Sequence, residues 1–260
     1  MGTRAEHMPG RSDRESRFVR AFLSLNRQIK TLYNVNMNFL FDADESRYIT
    51  FPAHVRERSE YLRTVVRAER PLIVDGFACV GGDSLVFMGD FMSADVYAVQ
   101  RAVTDGEKDR YARLAHNISD FNAKCRLDVP KALAVPCAIE DFLPNVQETI
   151  DLLYLDPPWE ITEGREYDES SIMEYISGIV AGAKVHVNVV VIKIRYDLSR
   201  TDCLPGYEFL KTIQVMQKER LLYCFHVFQN KTPYPLATRV VYLDPWGNPE
   251  EVAPGSAARQ

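Results

Sequence analysis

The run Asp151-Leu-Leu-Tyr-Leu-Asp-Pro-Pro-Trp-Glu160 constrains the fold more than any other stretch of the chain. Leu152, Leu153, Tyr154 and Leu155 are apolar without alternation, the pattern of a strand covered on both faces of a parallel sheet. Pro157 and Pro158 carry no backbone N–H, so the ladder has to stop at Asp156. A carboxylate and an indole, those of Asp156 and Trp159, are left at the strand's C-terminal edge. In open α/β sheets ligands bind in the crevice outside the carboxyl ends of the strands.

The surrounding chain supplies such a sheet. From Leu72 onward the segments "LIVDGF", "DVYAVQ", "VPCAIEDF", "DLLYLDPPW" and "VNVVVIKIRYD" read as strands, with helical stretches between them, notably around 105–119 and 168–182. That rhythm predicts an α/β fold with a mostly parallel, Rossmann-like sheet and right-handed crossovers. Near the end, "RLLYCFHVFQN" and "TRVVYLDP" are separated by "KTPYPLA", too short for a crossover helix, so an antiparallel C-terminal hairpin is expected there. Ahead of the sheet, Phe18, Phe22, Leu25, Ile29 and Leu32 recur at helical spacing over 18–33. A second helix is expected between Pro52, suited to a first turn, and Pro71, with Val55, Leu62, Val65 and Val66 on one face. The expected organisation is a mobile tail over 1–17, a helical extension over 18–71, a core over 72–245 and a tail over 246–260.

Composition narrows the class. With 260 residues the chain is long enough for one α/β domain with an appendage. A net charge of −5 argues against a protein that coats nucleic acid by bulk charge. No apolar run approaches the ~20 residues of a membrane helix, and the charged N-terminus lacks the apolar centre of a secretory signal, so an intracellular location, nuclear or cytoplasmic, is expected. The five cysteines are odd in number and scattered without a C-x-x-C pair, which predicts neither a disulfide framework nor a zinc site. His54, His116, His186 and His226 are not spaced as ligands, and no metal is expected. Trp246 reads as a hydrophobic anchor for the C-terminal tail.

Three stretches carry a resemblance. The parallel sheet with "VDGFACVGGDSLVF" after its first strand and D-P-P-W after its fourth resembles the class I S-adenosylmethionine-dependent methyltransferases over about residues 38–245. D-P-P-W looks like the signature of enzymes that methylate exocyclic amines of bases, chiefly adenine N6. "FDADESRYITFPAHV" and the glycine turn look more like trimethylguanosine synthase, the RNA cap guanine-N2 methyltransferase.

The resemblance implies S-adenosylmethionine as cofactor, held by Asp75, Phe77, Ala78, Gly81, Gly82, Gln100 and Asp141. Gly81 and Gly82 suit a turn where backbone must approach a ligand and take positive φ. Asp75 is placed for the amino-acid end of the cofactor, and Asp141 matches the acid that accepts from its adenine amino group. Asp156, Pro157, Pro158 and Trp159 are the implied catalytic residues, acting on RNA, with a capped 5′ end as the favoured substrate. Asp156 and the Pro157 carbonyl each accept an N–H of the acceptor amine, and Trp159 offers a stacking face worth about 1–3 kcal/mol. Lys193 and Arg195 are candidate phosphate or cap contacts in the same crevice.

Departures from the family patterns matter. Gln100 stands where an acid usually binds the ribose hydroxyls, Cys79 where the turn usually has a glycine, and Glu160 where the cap enzyme has a glycine. Adenine N6 of RNA or DNA is therefore the alternative target. A degenerate methyltransferase fold that binds RNA or a partner without turnover is the reading of another class.

Overall fold

The structure is a computed structural model that describes residues 11–232 except 46–48, 53–54, 92, 126–131, 159, 163–164, 167, 196, 199–201 and 218. Its elements run α1 (Arg11–Tyr33), α2 (Arg56–Val65), β1 (Leu72–Asp75), α3 (Gly82–Asp90), β2 (Asp95–Val99) and α4 (Asp105–Lys124). They continue with β3 (Ala132–Val135), α5 (Ile139–Phe142), β4 (Ile150–Leu155), β5 (Glu160–Thr162), β6 (Arg165–Glu166) and α6 (Glu169–Gly182). The last three are β7 (Val187–Ile194), β8 (Tyr207–Gln217) and β9 (Arg220–Asn230).

Seven strands form one sheet in the order β3-β2-β1-β4-β7-β9-β8. Pairing is parallel from β3 through β7, and β9 is antiparallel to both of its neighbours. The strand order reverses between β1 and β4, which makes their carboxyl ends the topological switch point where ligands bind such sheets. β4 is buried on both faces, as its lack of alternation predicts. Leu152 and Tyr154 pack into one core cluster and Leu153 and Leu155 into the other, and all four are fully buried.

Several sequence expectations are corrected. The third strand is Ala132–Val135; Pro136 ends it, and Ile139–Phe142, expected to lie in that strand, is the helix α5. The antiparallel hairpin exists, but β9 pairs with β8 rather than with "TRVVYLDP". Because β9 lies between β7 and β8, both of its edges are occupied; the "TRVVYLDP" segment and Trp246 lie outside the described residues. The first helix begins at Arg11, ahead of the expected residue 18, and the second spans only Arg56–Val65. Pro52 lies ahead of that helix rather than in its first turn, and Val55 N–H donates to Pro52 O at 3.3 Å.

Residues 34–45, after α1, belong to no sheet. Val35, Met37, Phe39 and Phe41 are buried while Asn34, Asn36, Asn38 and Leu40 are exposed, an alternation hidden by the polar letters of "NVNMN". Asn117 of α4 stands in for a strand partner here. Its side chain accepts from Leu40 N–H at 2.7 Å and donates to Leu40 O at 2.8 Å, and it also donates to Val80 O at 2.8 Å. Glu45 is buried and held by Arg110 and Arg113, at 3.3 and 2.7 Å, so the segment is fastened to α4 at two points.

Candidate active site

The carboxyl ends of β1, β2, β3, β4 and β7 bring most of the expected residues to one edge. Asp75 closes β1, Gln100 follows β2, α5 with Asp141 follows β3, Asp156 follows β4, and Lys193 is the penultimate residue of β7. The loop after β1 is tight: Gly76 N–H donates to Tyr154 O and Ala78 N–H to Val99 O, each at 2.9 Å, lacing it to β4 and β2. Gly81, at φ 95°, occupies the left-handed region immediately before α3. Cys79 also has positive φ, 51°, which is the conformational reason a glycine suits that place in the turn. A Cβ on Gly82 would sit 3.3 Å from the backbone N and O of Thr50, so the segment ahead of the core lies directly on the start of α3.

Beneath this edge is a buried cluster of charges. Lys193 Nζ donates to Asp156 Oδ2 at 2.6 Å and to Thr50 Oγ1 at 2.9 Å. Thr50 O–H donates to Asp83 Oδ2 at 2.6 Å, and Tyr154 O–H reaches the same oxygen at 3.0 Å. Asp83 Oδ1 accepts from Arg58 Nη1. The Arg58 side chain is fully buried, and its guanidinium lies 4.6, 5.1 and 5.0 Å from the ring centroids of Phe87, Tyr154 and Phe225. Its Nε and Nη2 find no hydrogen-bond acceptor; aromatic faces surround the cation instead.

Burial and neighbouring charge set the titration of the group. Desolvation pushes Asp156 from its ordinary 3.8 up to about 6, with Lys193 pulling the other way. Asp75 rises to about 7 because it is buried and faces the charge of Asp83, a rise moderated by the bond that Ser84 O–H donates to its Oδ2 at 2.6 Å. Asp83 is also desolvated, but Arg58 and Lys193 hold it below the usual carboxylate range. Burial opposes the Lys193 charge, yet Asp156 and Asp83 keep its pKa above the ordinary value. Two cations, Arg58 and Lys193, thus face two carboxylates, Asp83 and Asp156, in a largely buried cluster.

The remaining expected residues are placed as follows. Phe77 is half-buried, its ring 6.3 Å from that of Tyr175, and Ala78 is buried. Gln100 donates through its side chain to Arg101 O at 2.9 Å, and Asp141 is exposed on α5. Pro157 is buried, Pro158 is exposed, and Arg195 is exposed just beyond β7. The Lys193 ammonium, expected to face phosphate, is turned inward onto Asp156 and Thr50. Trp159 and His54 lie outside the described residues.

Sequence reasoning passed over Thr50, Arg58, Asp83 and Asn117. Two of them carried a signal: Arg58 falls in the buried phase of α2 between Val55 and Leu62, and Asn117 in that of α4 between Leu114 and Phe121. A polar residue in an apolar phase is the informative exception. Thr50 and Asp83 had no such mark. Among the described residues, Asp197, Cys224 and His226 place potential metal-ligand atoms within 4.8 Å of one another. Thr212 and Gln214 engage two of the three: Thr212 Oγ1 lies 2.9 Å from His226 Nδ1, and Asp197 accepts from Thr212 at 3.3 Å and from Gln214 at 3.1 Å.

No family model matches the chain, and no curated protein matches it in sequence. Solved structures do match in fold. The METTL16 MTase domain superposes with a TM-score of 0.59 at 11% identity, over 86% of this chain and 83% of that one. The human methyltransferase 10 domain containing protein gives 0.55 at 9% identity, over 86% of this chain and all of that one. The chain therefore has the Rossmann-like fold of class I methyltransferases.

Proposed function

We propose that the chain is an S-adenosylmethionine-dependent methyltransferase acting on an exocyclic amine of a nucleobase in RNA. The observation that carries this reading is Asp156, a carboxylate delivered by β4 to the switch point of the sheet and fixed there by Lys193 at 2.6 Å. The likeness of the fold to proteins described as methyltransferases supports it.

The residues present fit the cofactor. Asp75 Oδ1 is a buried oxygen without a hydrogen-bond partner, which an amino group of the ligand completes. Gly81 and Gly82 let backbone approach closely, and Gln100 and Asp141 lie at the next two strand ends. When bound, S-adenosylmethionine supplies an electrophilic methyl group on a sulfonium. The chain's part is orientation. A ring-conjugated amine is a poor nucleophile because its lone pair is delocalised. With Lys193 occupying Oδ2, Asp156 offers Oδ1 to one N–H, and the Pro157 carbonyl offers a second acceptor. Two acceptors on the amine favour a pyramidal nitrogen whose lone pair is aimed for attack. Trp159 stacks the base, and Arg195 is the candidate phosphate contact.

The target favoured is guanine N2 of a 7-methylguanosine cap, on the resemblance of residues ahead of the core and of P-P-W; the positive charge of that base adds cation–π attraction to Trp159. Adenine N6 is the second reading, favoured by Asp156 itself. Methyl transfer from labelled cofactor to capped RNA, uncapped RNA and DNA, followed by nucleoside identification, separates them. Label on N6-methyladenosine alone overturns the cap assignment. Asp156→Ala is expected to abolish turnover with cofactor binding kept, and Trp159→Ala to weaken RNA binding. An Asp156→Ala protein that methylates at the wild-type rate refutes the mechanism, and absence of cofactor binding at millimolar concentration points to the non-enzymatic reading.

A further inference from the structure

We propose that the segment ahead of the core is a positioning element of the active site: Thr50, backed by Asp83 and Arg58, holds the Lys193 ammonium against Asp156 and so keeps that carboxylate ionised and aimed at the acceptor amine. The inference rests on the methyltransferase reading for its catalytic consequence, though not for its electrostatics.

Hydrogen-bond direction makes the case. Asp83 Oδ2 is an acceptor only, so Thr50 must spend its single proton there, at 2.6 Å. The Thr50 oxygen then presents lone pairs to Lys193 Nζ at 2.9 Å. A lysine stem is long and rotatable, and an ammonium held by one carboxylate can follow it through several rotamers. Two fixed acceptors, Thr50 Oγ1 and Asp156 Oδ2, define one position.

Thr50 is itself fixed. Its backbone abuts Gly82, and the stretch leading to it is tied to α4 through Asn117 and Glu45. Behind it, Arg58 from α2 neutralises Asp83, without which a buried carboxylate would compete with Asp156 for the one lysine. The titratable groups around Asp156 are Asp75 on β1, Cys79 in the turn after it, Asp83 on α3, Arg58 on α2, Tyr154 on β4, Lys193 on β7 and Tyr223 on β9. Of these Lys193 is the largest influence favouring the charged form, opposing the burial that raises Asp156 to about 6.

The test uses Thr50→Val, which removes both hydrogen bonds at nearly constant volume, and Thr50→Ser, which keeps them. Carbon-13 carboxyl NMR of the intact protein, with Asp156 assigned by its absence in Asp156→Asn, follows the titration without any assay of activity. Thr50→Val is expected to raise the Asp156 midpoint by about one pH unit or more and Thr50→Ser to leave it near the wild type. Lys193→Met, the second variant, is expected to raise it further. In methyl transfer, the acid limb of kcat/KM moves up with the midpoint, so turnover at pH 7 falls by about tenfold if the midpoint approaches 8, while cofactor affinity measured by calorimetry stays put. An unchanged midpoint in Thr50→Val, or in Lys193→Met, overturns the proposal. A shifted midpoint in a protein that methylates no nucleic acid upholds the positioning element and overturns the methyltransferase reading instead.

Discussion

Replacing Asp75 with Asn is expected to make the protein more stable at alkaline pH while removing a carboxylate proposed to hold the cofactor. Asp75 is 1% exposed and its pKa rises from 3.8 to about 7, first through desolvation and then through the charge of Asp83. A carboxyl whose pKa is raised on folding binds protons more tightly in the folded state. Its contribution is therefore most favourable below pH 4 and is lost as the pH climbs through about 7. At 1.36 kcal/mol per pH unit, the gap between 3.8 and about 7 corresponds to ~4 kcal/mol in all, of which ~2–3 kcal/mol falls between pH 5 and pH 8. Asn has no charge to desolvate. Its oxygen can still accept from Ser84, but its NH2 replaces the unpartnered Oδ1, and an unsatisfied buried donor costs ~1–3 kcal/mol. The balance at pH 8 favours the variant by ~1–3 kcal/mol, or about 2–10 °C in Tm, with little or no gain at pH 5. Urea unfolding of both proteins without cofactor, at pH 5, 6, 7 and 8, measures this. The reasoning fails if the two proteins lose stability in parallel between pH 5 and 8. It also fails if Asp75→Asn binds S-adenosylmethionine as the wild type does, because the orphan oxygen would then not be the ligand's partner.

Two further outcomes are expected. Arg58→Leu strands Asp83 as a buried carboxylate with Thr50, Tyr154 and a lysine 4.0 Å away; the loss is ~3–5 kcal/mol, read from urea midpoints, and Arg58→Leu with Asp83→Leu should recover part of it. A loss below ~1 kcal/mol in the single variant contradicts the assignment of that pair as buried and mutually compensating. Burial pushes the thiols of Cys79 and Cys224 up to about 12 and about 11, so both should resist iodoacetamide at pH 8 in the folded protein; mass spectrometry showing either alkylated at the rate of a small free thiol contradicts those environments.

The elements legible from the sequence were those whose pattern repeats locally. The period-two and unbroken apolar runs of β1, β2, β4 and β7, and the helical spacing of α1, α4 and α6, report burial that each element experiences along its own length. The partner of β9 was not legible. Only "TRVVYLDP" was read as its partner and "YEFLKTIQVMQ", which is β8, was passed over, because the pairing rests on which edges the assembled sheet leaves open. β3 was misplaced by a few residues because a proline between two apolar stretches ends a strand without saying which stretch is the strand. The "NVNMN" alternation was obscured by asparagines, whose polarity suits the exposed side of an extended segment as well as a loop.

For the site, the sequence by itself determined Asp156 at the end of a buried strand, the prolines that stop the ladder, and the glycines of the turn after β1. These follow from backbone rules that act within a few residues. Only the tertiary structure decided what Asp156 faces. Lys193 is 37 residues away along the chain, Thr50 is 143 residues from Lys193, and Arg58 is 25 from Asp83. Their meeting depends on parallel strands aligning their carboxyl ends and on the N-terminal segment folding back over α3. The physical reason is solvent: a lysine in an exposed crevice would seek phosphate, whereas the same lysine closed off from water must find its counter-charge within the protein, and here it finds Asp156.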